Sequence, residues 1–171
     1  MDLKIVKGDI TKIECDAIVN AANTSLLGGG GVDGAIHRVA GPGLLAECRT
    51  LNGCKTGEAK LTKAYNLPAK YVIHTVGPVW KGGHFNEARK LSESYYHSCE
   101  LADRYGCQHI AFPAISTGAF GYPIQEAAEI AIRAILDYGI HNHSGIKQVD
   151  LVCYNESLYE VFLAMFRKIN S

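Results

Sequence analysis

The chain has 171 residues, 47% of them hydrophobic and 20% charged, a balance that fits a folded domain of ordinary size and excludes a disordered one. Lys and Arg number 17 and so do Asp and Glu, so the formal net charge is zero. That excludes a broad electrostatic grip on nucleic acid or an anionic membrane, but leaves room for a local anion site built from backbone amides.

The start, MDLKIVKGDI, has no signal-peptide apolar run, and no stretch is long enough to span a bilayer. Six cysteines (Cys15, Cys48, Cys54, Cys99, Cys107 and Cys153) form no C-x-x-C pair. They read as reduced thiols in a cytoplasmic protein. A single domain over residues 1–171 and a monomeric state are the expectations.

In chain order, LKIVKGD and DAIVNAA read as strands, followed by AKLTKAY and KYVIHTVG on either side of a turn with Pro68. A helix is predicted over NEARKLSESYYHSCELADRYG, with Ala88, Leu91, Tyr95 and Ala102 on one face and Gly106 as its stop. CQHIAFPAI reads as a buried strand. PIQEAAEIAIRAILDYG is a second helix, with Pro123 in the first turn, an inner face of Ile124, Ala127, Ala128, Ala131 and Ile135, and an end at Gly139. KQVDLVCY is the last strand. ESLYEVFLAMFRKI closes the chain, with Leu158, Phe162, Met165, Phe166 and Ile169 in one stripe. Strands alternating with helices predict an α/β domain with helices on both faces of a mixed sheet, and ligands there bind beyond the carboxyl ends of the strands.

Two glycine loops precede helices. In NAANTSLLGGGGVDGAIH, residues 20–37, four consecutive glycines end in DGAIHRVAG, a helix start whose amides and dipole favour anions. GGGVDG matches G-x-G-x-x-G, but the preceding strand ends too early and no acidic residue stands about 20 positions on, as a dinucleotide fold requires. No G-K-[ST] follows, which excludes a Walker A loop. The second loop, PAISTGAFGYP, residues 113–123, also joins a strand to a helix. Either loop alone is an ordinary turn; the pair points to a ligand with two phosphates.

In this order, GDIT, AIVNAAN, LLGGGGVDGAIH, HTVGP and PAISTGAFGYP resemble the macrodomain family, in particular its MacroD-type ADP-ribosyl hydrolases. The resemblance covers nearly the whole chain. It implies a three-layer α/β/α sandwich around a mixed, mostly parallel sheet. It implies ADP-ribose as ligand, no cofactor, and hydrolysis of mono-ADP-ribose esters on acidic side chains of proteins and of O-acetyl-ADP-ribose. Mono-ADP-ribosylated proteins would then be partners.

Carried onto matching positions, the resemblance makes Asp9 the adenine-reading carboxylate, with Ile10 beside it and Tyr154 packing on the base. A turn cap for Asp9 and a core edge for Tyr154 are the bland alternatives. Asn20 and Asn23 would face the distal ribose, with Asn23 holding its hydroxyls or the attacking water; Asx turns are the structural alternative. Gly30, Gly31 and Val32 would wrap the diphosphate. Ser116, Thr117, Gly118, Ala119 and Gly121 would offer it amides and hydroxyls, and Phe120 would pack on the ribose.

Asp33 sits where a helix cap or first-turn residue would. A carboxylate near a bound pyrophosphate feels like charge, which raises its pKa and suits it to act as a base. The resemblance assigns Asn23 and Asp33 to catalysis, with either Asp33 or the substrate's diphosphate taking the proton. His37 reads as structural, His74 as buried in a strand, and His141 and His143 as solvated. Cys48 and Cys54 lack a matching histidine pattern, so no metal is predicted. The rival readings are a non-catalytic ADP-ribose reader, against which Asn23 and Asp33 argue, and an RNA binder, against which the neutral charge argues.

Overall fold

A computed structural model describes residues 1–171. Its elements are β1 (Asp2–Lys7), β2 (Ala17–Ala21), α1 (Gly31–Ala40), α2 (Pro42–Arg49), β3 (Ala59–Lys63), β4 (Tyr71–Thr75), α3 (Glu87–Arg104), β5 (His109–Pro113), α4 (Ile124–His141), β6 (Gln148–Cys153) and α5 (Glu156–Ile169), with a 3-10 turn at Ile10–Lys12. No helix is long and apolar enough to cross a membrane. The strands form one sheet in the order β1-β6-β5-β2-β4-β3. All neighbours are parallel except β3, which runs antiparallel to β4 at the edge. The sheet is mixed, with helices on both faces.

Side chains alternate between the faces of a strand, and here that alternation divides the core in two. Ala17 and Val19 of β2, Ile73 of β4, Ile110 and Phe112 of β5 and Val149 and Leu151 of β6 face α3, α4 and α5 in a cluster of 27 buried residues. Ile18, Val72, Ala111 and Val152 face α1 and α2 in a cluster of 15. Asn20 and His74 share this second parity and are register partners on β2 and β4.

The helices depart from the sequence expectation in four places. α2 carries no clear signal, because its eight residues bury only Leu44 and Cys48. Ala88 is exposed; the inner face of α3 is instead completed by Ser94, Ser98 and Cys99 beside Leu91 and Tyr95. Ile124 is exposed at the first turn of α4, and Ile132, Ala134 and Tyr138 extend the buried face beyond the predicted one. Gly139 does not end α4, which runs on to His141. A methyl built on Gly139 would meet Met1 Sδ at 3.3 Å, so its missing side chain serves close packing against the N-terminus. The six cysteines are unpaired, and all but Cys15 are buried.

Candidate active site

β2 and β5 are adjacent in the sheet, but the chain leaves them toward opposite faces: β2 leads to α1, and β5 leads to α4 on the other side. Such a switch point opens a crevice at the carboxyl ends of the strands. A cavity of about 680 Å³ lies there, within the range of small-molecule sites. Its walls are the turn after β1, residues 21–23 at the end of β2, residues 29–33 with Ala35, Gly77, residues 113–120, and Val152 with Tyr154.

One lip is the first glycine loop. Asn23 organises its approach: Oδ1 accepts from Ser25 N at 3.1 Å, Ser25 Oγ at 2.6 Å and Leu26 N at 3.2 Å, while Nδ2 donates to Gly28 O at 2.9 Å. This is the Asx-type turn of the structural alternative, yet the side chain also lines the cavity. Gly30 is the N-cap of α1 and makes no side-chain cap. The amides of Gly30, Gly31 and Val32 find no acceptor in the chain, as expected of a helix's first turn. Gly31 has φ +58°, a conformation that L side chains rarely adopt. A methyl on Gly34 would lie 2.6 Å from the Gly29 carbonyl oxygen, so the helix can approach its own loop only with glycine there.

Asp33 is not the cap of α1. It is the third residue of the helix, 5% exposed, and its Oδ1 accepts from Asn20 Nδ2 at 2.8 Å. His37 Nε2, one turn on, lies 3.4 Å from the same oxygen without forming a hydrogen bond. A methyl built on Gly29 would lie 3.1 Å from Asp33 Oδ2 and 3.5 Å from Asn23 Nδ2. Both groups therefore flank the same small space beside Gly29, and no protein donor reaches Oδ2. Burial raises the Asp33 carboxyl above its usual range, against the opposing pull of the Asn20 hydrogen bond and of His37. Desolvation by the protein itself thus already raises Asp33, apart from any charge that a bound pyrophosphate would add.

Asn20 is placed differently from the sequence expectation. It has no exposed surface and does not line the cavity; it stands behind Asp33, between that residue and His74. Strand parity turns its side chain toward α1 rather than toward the crevice. His74 is buried in β4 as predicted.

The other lip, residues 114–121, presents backbone. The amides of Ser116, Gly118, Ala119 and Phe120 find no acceptor in the chain. The hydroxyls are already engaged: Ser116 Oγ donates to Pro78 O at 2.8 Å and Thr117 Oγ1 to Ala114 O at 2.7 Å. So the expected hydroxyl donors to a ligand are spent in shaping the loop. Gly121 N donates to Gly118 O and Tyr122 N to Ser116 O, which folds the chain back before α4. Gly121 and the first turn of α4 consequently miss the cavity. Phe120 is half-buried on its wall, and its carbonyl accepts from Trp80 N at 2.8 Å.

At the far end, Asp9 both caps the 3-10 turn and lines the cavity. Its Oδ1 accepts from Thr11 Oγ1 at 2.6 Å and Thr11 N at 2.9 Å, and these two donors hold its carboxyl below the usual range. Oδ2 has no partner in the chain. Ile10 is buried beside it. Tyr154 is 64% exposed on the rim, so it is no core edge. Gly8, Ala21, Ala22, Ala35, Gly77 and Val152 line the cavity and were not singled out by the sequence, which offers no signal for small or apolar residues that merely border a space.

The fold and this crevice define the class. Residues 19–131 match the Macro domain family, and the chain belongs to it. A relative from Cronobacter turicensis named O-acetyl-ADP-ribose deacetylase is 51% identical over 171 residues, covering 96% of this chain and 97% of its own. The Oceanobacillus iheyensis macrodomain with ADP superposes with a TM-score of 0.93 at 42% identity, covering 98% of this chain and 91% of that one. The Trypanosoma brucei macrodomain in complex with ADP-ribose gives a TM-score of 0.88 at 45% identity, over 94% of this chain and 67% of that one.

Proposed function

We propose that this protein binds ADP-ribose and hydrolyses its esters, both O-acetyl-ADP-ribose and mono-ADP-ribose carried on Asp or Glu side chains of proteins. The observation that carries the reading is a single cavity with acceptor-free backbone amides on two facing lips and one buried carboxylate between them. The amides suit a diphosphate, which needs donors and no formal positive charge. A relative named for O-acetyl-ADP-ribose deacetylation and solved relatives holding ADP or ADP-ribose support the same ligand.

In the proposed reaction, Asn23 Nδ2 holds a water or ribose hydroxyl beside Gly29, and Phe120 packs on the distal ribose to align it. Asp33 Oδ2 takes a proton from the water, whose oxygen bonds to the ester centre. The ester C–O bond breaks, the proton held by Asp33 passes to the departing oxygen, and ADP-ribose and a carboxylic acid leave with Asp33 again ionised. Burial, by raising the basicity of Asp33, supports its role as the base.

The deciding experiment measures turnover of O-acetyl-ADP-ribose and of a protein mono-ADP-ribosylated on Glu, for parent and Asp33→Asn, with ADP-ribose affinity by calorimetry. Turnover lost with affinity retained is expected. Tight binding by a parent that turns over neither substrate would instead make the protein a reader.

A further inference from the structure

Behind Asp33 lies a row of buried polar groups that the reaction above does not touch. Asn20 on β2 and His74 on β4 are register partners, and Thr62 on β3 pairs with Val72, one diagonal step away. Asn20, Thr62 and His74 all have zero exposure. Asn20 Nδ2 lies 2.8 Å from Asp33 Oδ1 and 3.2 Å from His74 Nδ1. His74 Nε2 lies 3.0 Å from Thr62 Oγ1, and that hydroxyl donates to the Lys63 carbonyl at 2.9 Å.

The Thr62 hydroxyl, by donating to Lys63, sets the proton arrangement. A hydroxyl has a single hydrogen. Thr62 gives it to Lys63, so toward His74 it accepts, and Nε2 carries the ring proton. Nδ1 is then an acceptor. Asn20 satisfies it with one amide hydrogen and gives the other to Asp33 Oδ1. Turned over, Asn20 would set its own oxygen against a carboxylate oxygen and a bare ring nitrogen, with no donor among the three.

We infer that His74, braced by Thr62, is a positioning residue: it locks the Asn20 amide with its NH2 toward Asp33, which fixes the carboxylate by Oδ1 and leaves Oδ2 free at the cavity. This rests on the reading of Asp33 as the base. Burial keeps His74 neutral, its pKa brought down to about 3, so the row does not charge near neutral pH. The ionisable groups facing it are His37 on α1, whose ring centroid is 6.5 Å from that of His74, and Cys48 on α2, whose Sγ is 3.7 Å from Nε2. Burial pushes the Cys48 thiol up to about 11, so it stays neutral too. Asn20 Oδ1 is left with no partner. An orphaned buried oxygen is costly, and its presence fits an amide held in one orientation from the nitrogen side.

The test uses NMR of the imidazole nitrogens and of the Asp33 carboxyl carbon in the parent, Thr62→Val, His74→Leu and His74→Asn. Kinetics on O-acetyl-ADP-ribose and ADP-ribose calorimetry run alongside. The parent is expected to show His74 neutral with its proton on Nε2. Asp33 should titrate at higher pH in Thr62→Val and His74→Leu, because the Asn20 bond that favours its charged form is no longer fixed. It should return toward the parent in His74→Asn, whose side-chain oxygen restores an acceptor near the place of Nδ1. In Thr62→Val and His74→Leu kcat should fall about tenfold while ADP-ribose affinity holds within about twofold, and His74→Asn should recover most of that loss. A ring proton on Nδ1, or an Asp33 titration unmoved by both Thr62→Val and His74→Leu, overturns the inference. If the parent hydrolyses no ester, the proposed function fails, and the ring proton and the carboxyl titration still decide this inference. Should His74→Leu fail to fold, Thr62→Val, which exchanges one hydroxyl for a methyl, carries the test.

Discussion

The lip at residues 28–34 and the lip at residues 114–121 both follow a buried strand, both border one cavity, and both carry amides that find no acceptor in the chain. They differ in what stands behind them. The first is backed by buried polar side chains on β2 and β4, and it alone brings an ionisable group, Asp33, to the cavity between the lips. The second is tied down by its own hydroxyls and by Pro78, and it contributes an aromatic ring. An anion can be held by backbone alone, which tolerates loose side-chain chemistry. A carboxylate that must stay basic needs burial on one side and access on the other, and only a lip braced from the core supplies both.

The largest effect should come from removing the carboxylate. Asp33→Asn is expected to lower turnover by about 10² to 10⁴, the range of a lost general base, with ADP-ribose affinity nearly unchanged by calorimetry. Its effect on stability has the opposite sign. Asp33 has a folded-state pKa above the usual 3.8, so at neutral pH its charge opposes folding, and that penalty disappears as pH falls through the folded value. The variant should therefore melt at or above the parent at pH 7, with the gap closing on acidification. A variant that melts well below the parent at pH 7 would mean the charge is stabilising and the assignment of burial as the dominant influence is wrong. In the parent, the acid limb of kcat should lie above the ordinary aspartate range for the same reason.

On the opposite lip, Phe120→Ala should cost orientation rather than chemistry, roughly tenfold in kcat/KM with the pH profile unmoved. A profile that shifts with Phe120→Ala would erase the division of labour between the lips.

Within the glycine loop itself the effects should separate by position. Gly34→Ala must push the Gly29 carbonyl away, at about 1–3 kcal/mol in denaturant unfolding. A methyl on Gly30 meets nothing within 4 Å, so Gly30→Val should stay within about 0.5 kcal/mol of the parent in stability. Its defect should appear instead in ADP-ribose binding or turnover. Equal stability losses at the two positions would show that the loop, and not its contact with α1, is the fragile part.

The smallest expected effect on ligand binding is that of Ser116→Ala. Losing the bond to Pro78 should cost about 1 kcal/mol in thermal unfolding. ADP-ribose affinity should stay near the parent, because the hydroxyl is already turned away from the ligand. A large loss of affinity would restore the hydroxyl-donor role that the sequence suggested.

Much of this molecule was legible in the sequence, for identifiable reasons. α5 was readable because Leu158, Phe162 and Met165 repeat at helical spacing. The strands were readable as short β-branched runs, and the glycine loops marked both lips before any fold was known. Asn23, Asp33 and Phe120 line the cavity that those loops form. What failed was direction. Asn20 and Asn23 look alike in the chain, three residues apart at the end of one strand. One faces α1 with no exposed surface, and the other lines the cavity. Both neighbours of Asn20, Val19 and Ala21, are apolar, as are Ala17 and Ile18, because both sheet faces are covered, so the sequence carries no alternation from which to read which side Asn20 takes. The Thr62–His74–Asn20 row was invisible for a related reason. Its members come from three strands and meet only through register.

Local spacing and composition thus determined the elements, their order and the two loops that a ligand would meet, since these depend on residues close in the chain. Only the tertiary structure decided which polar side chains point into the cavity, which stand behind it, and why Asp33 is held above its ordinary pKa. Those depend on strand parity, on pairing between distant segments and on burial, and none of the three is a property of any short stretch of sequence.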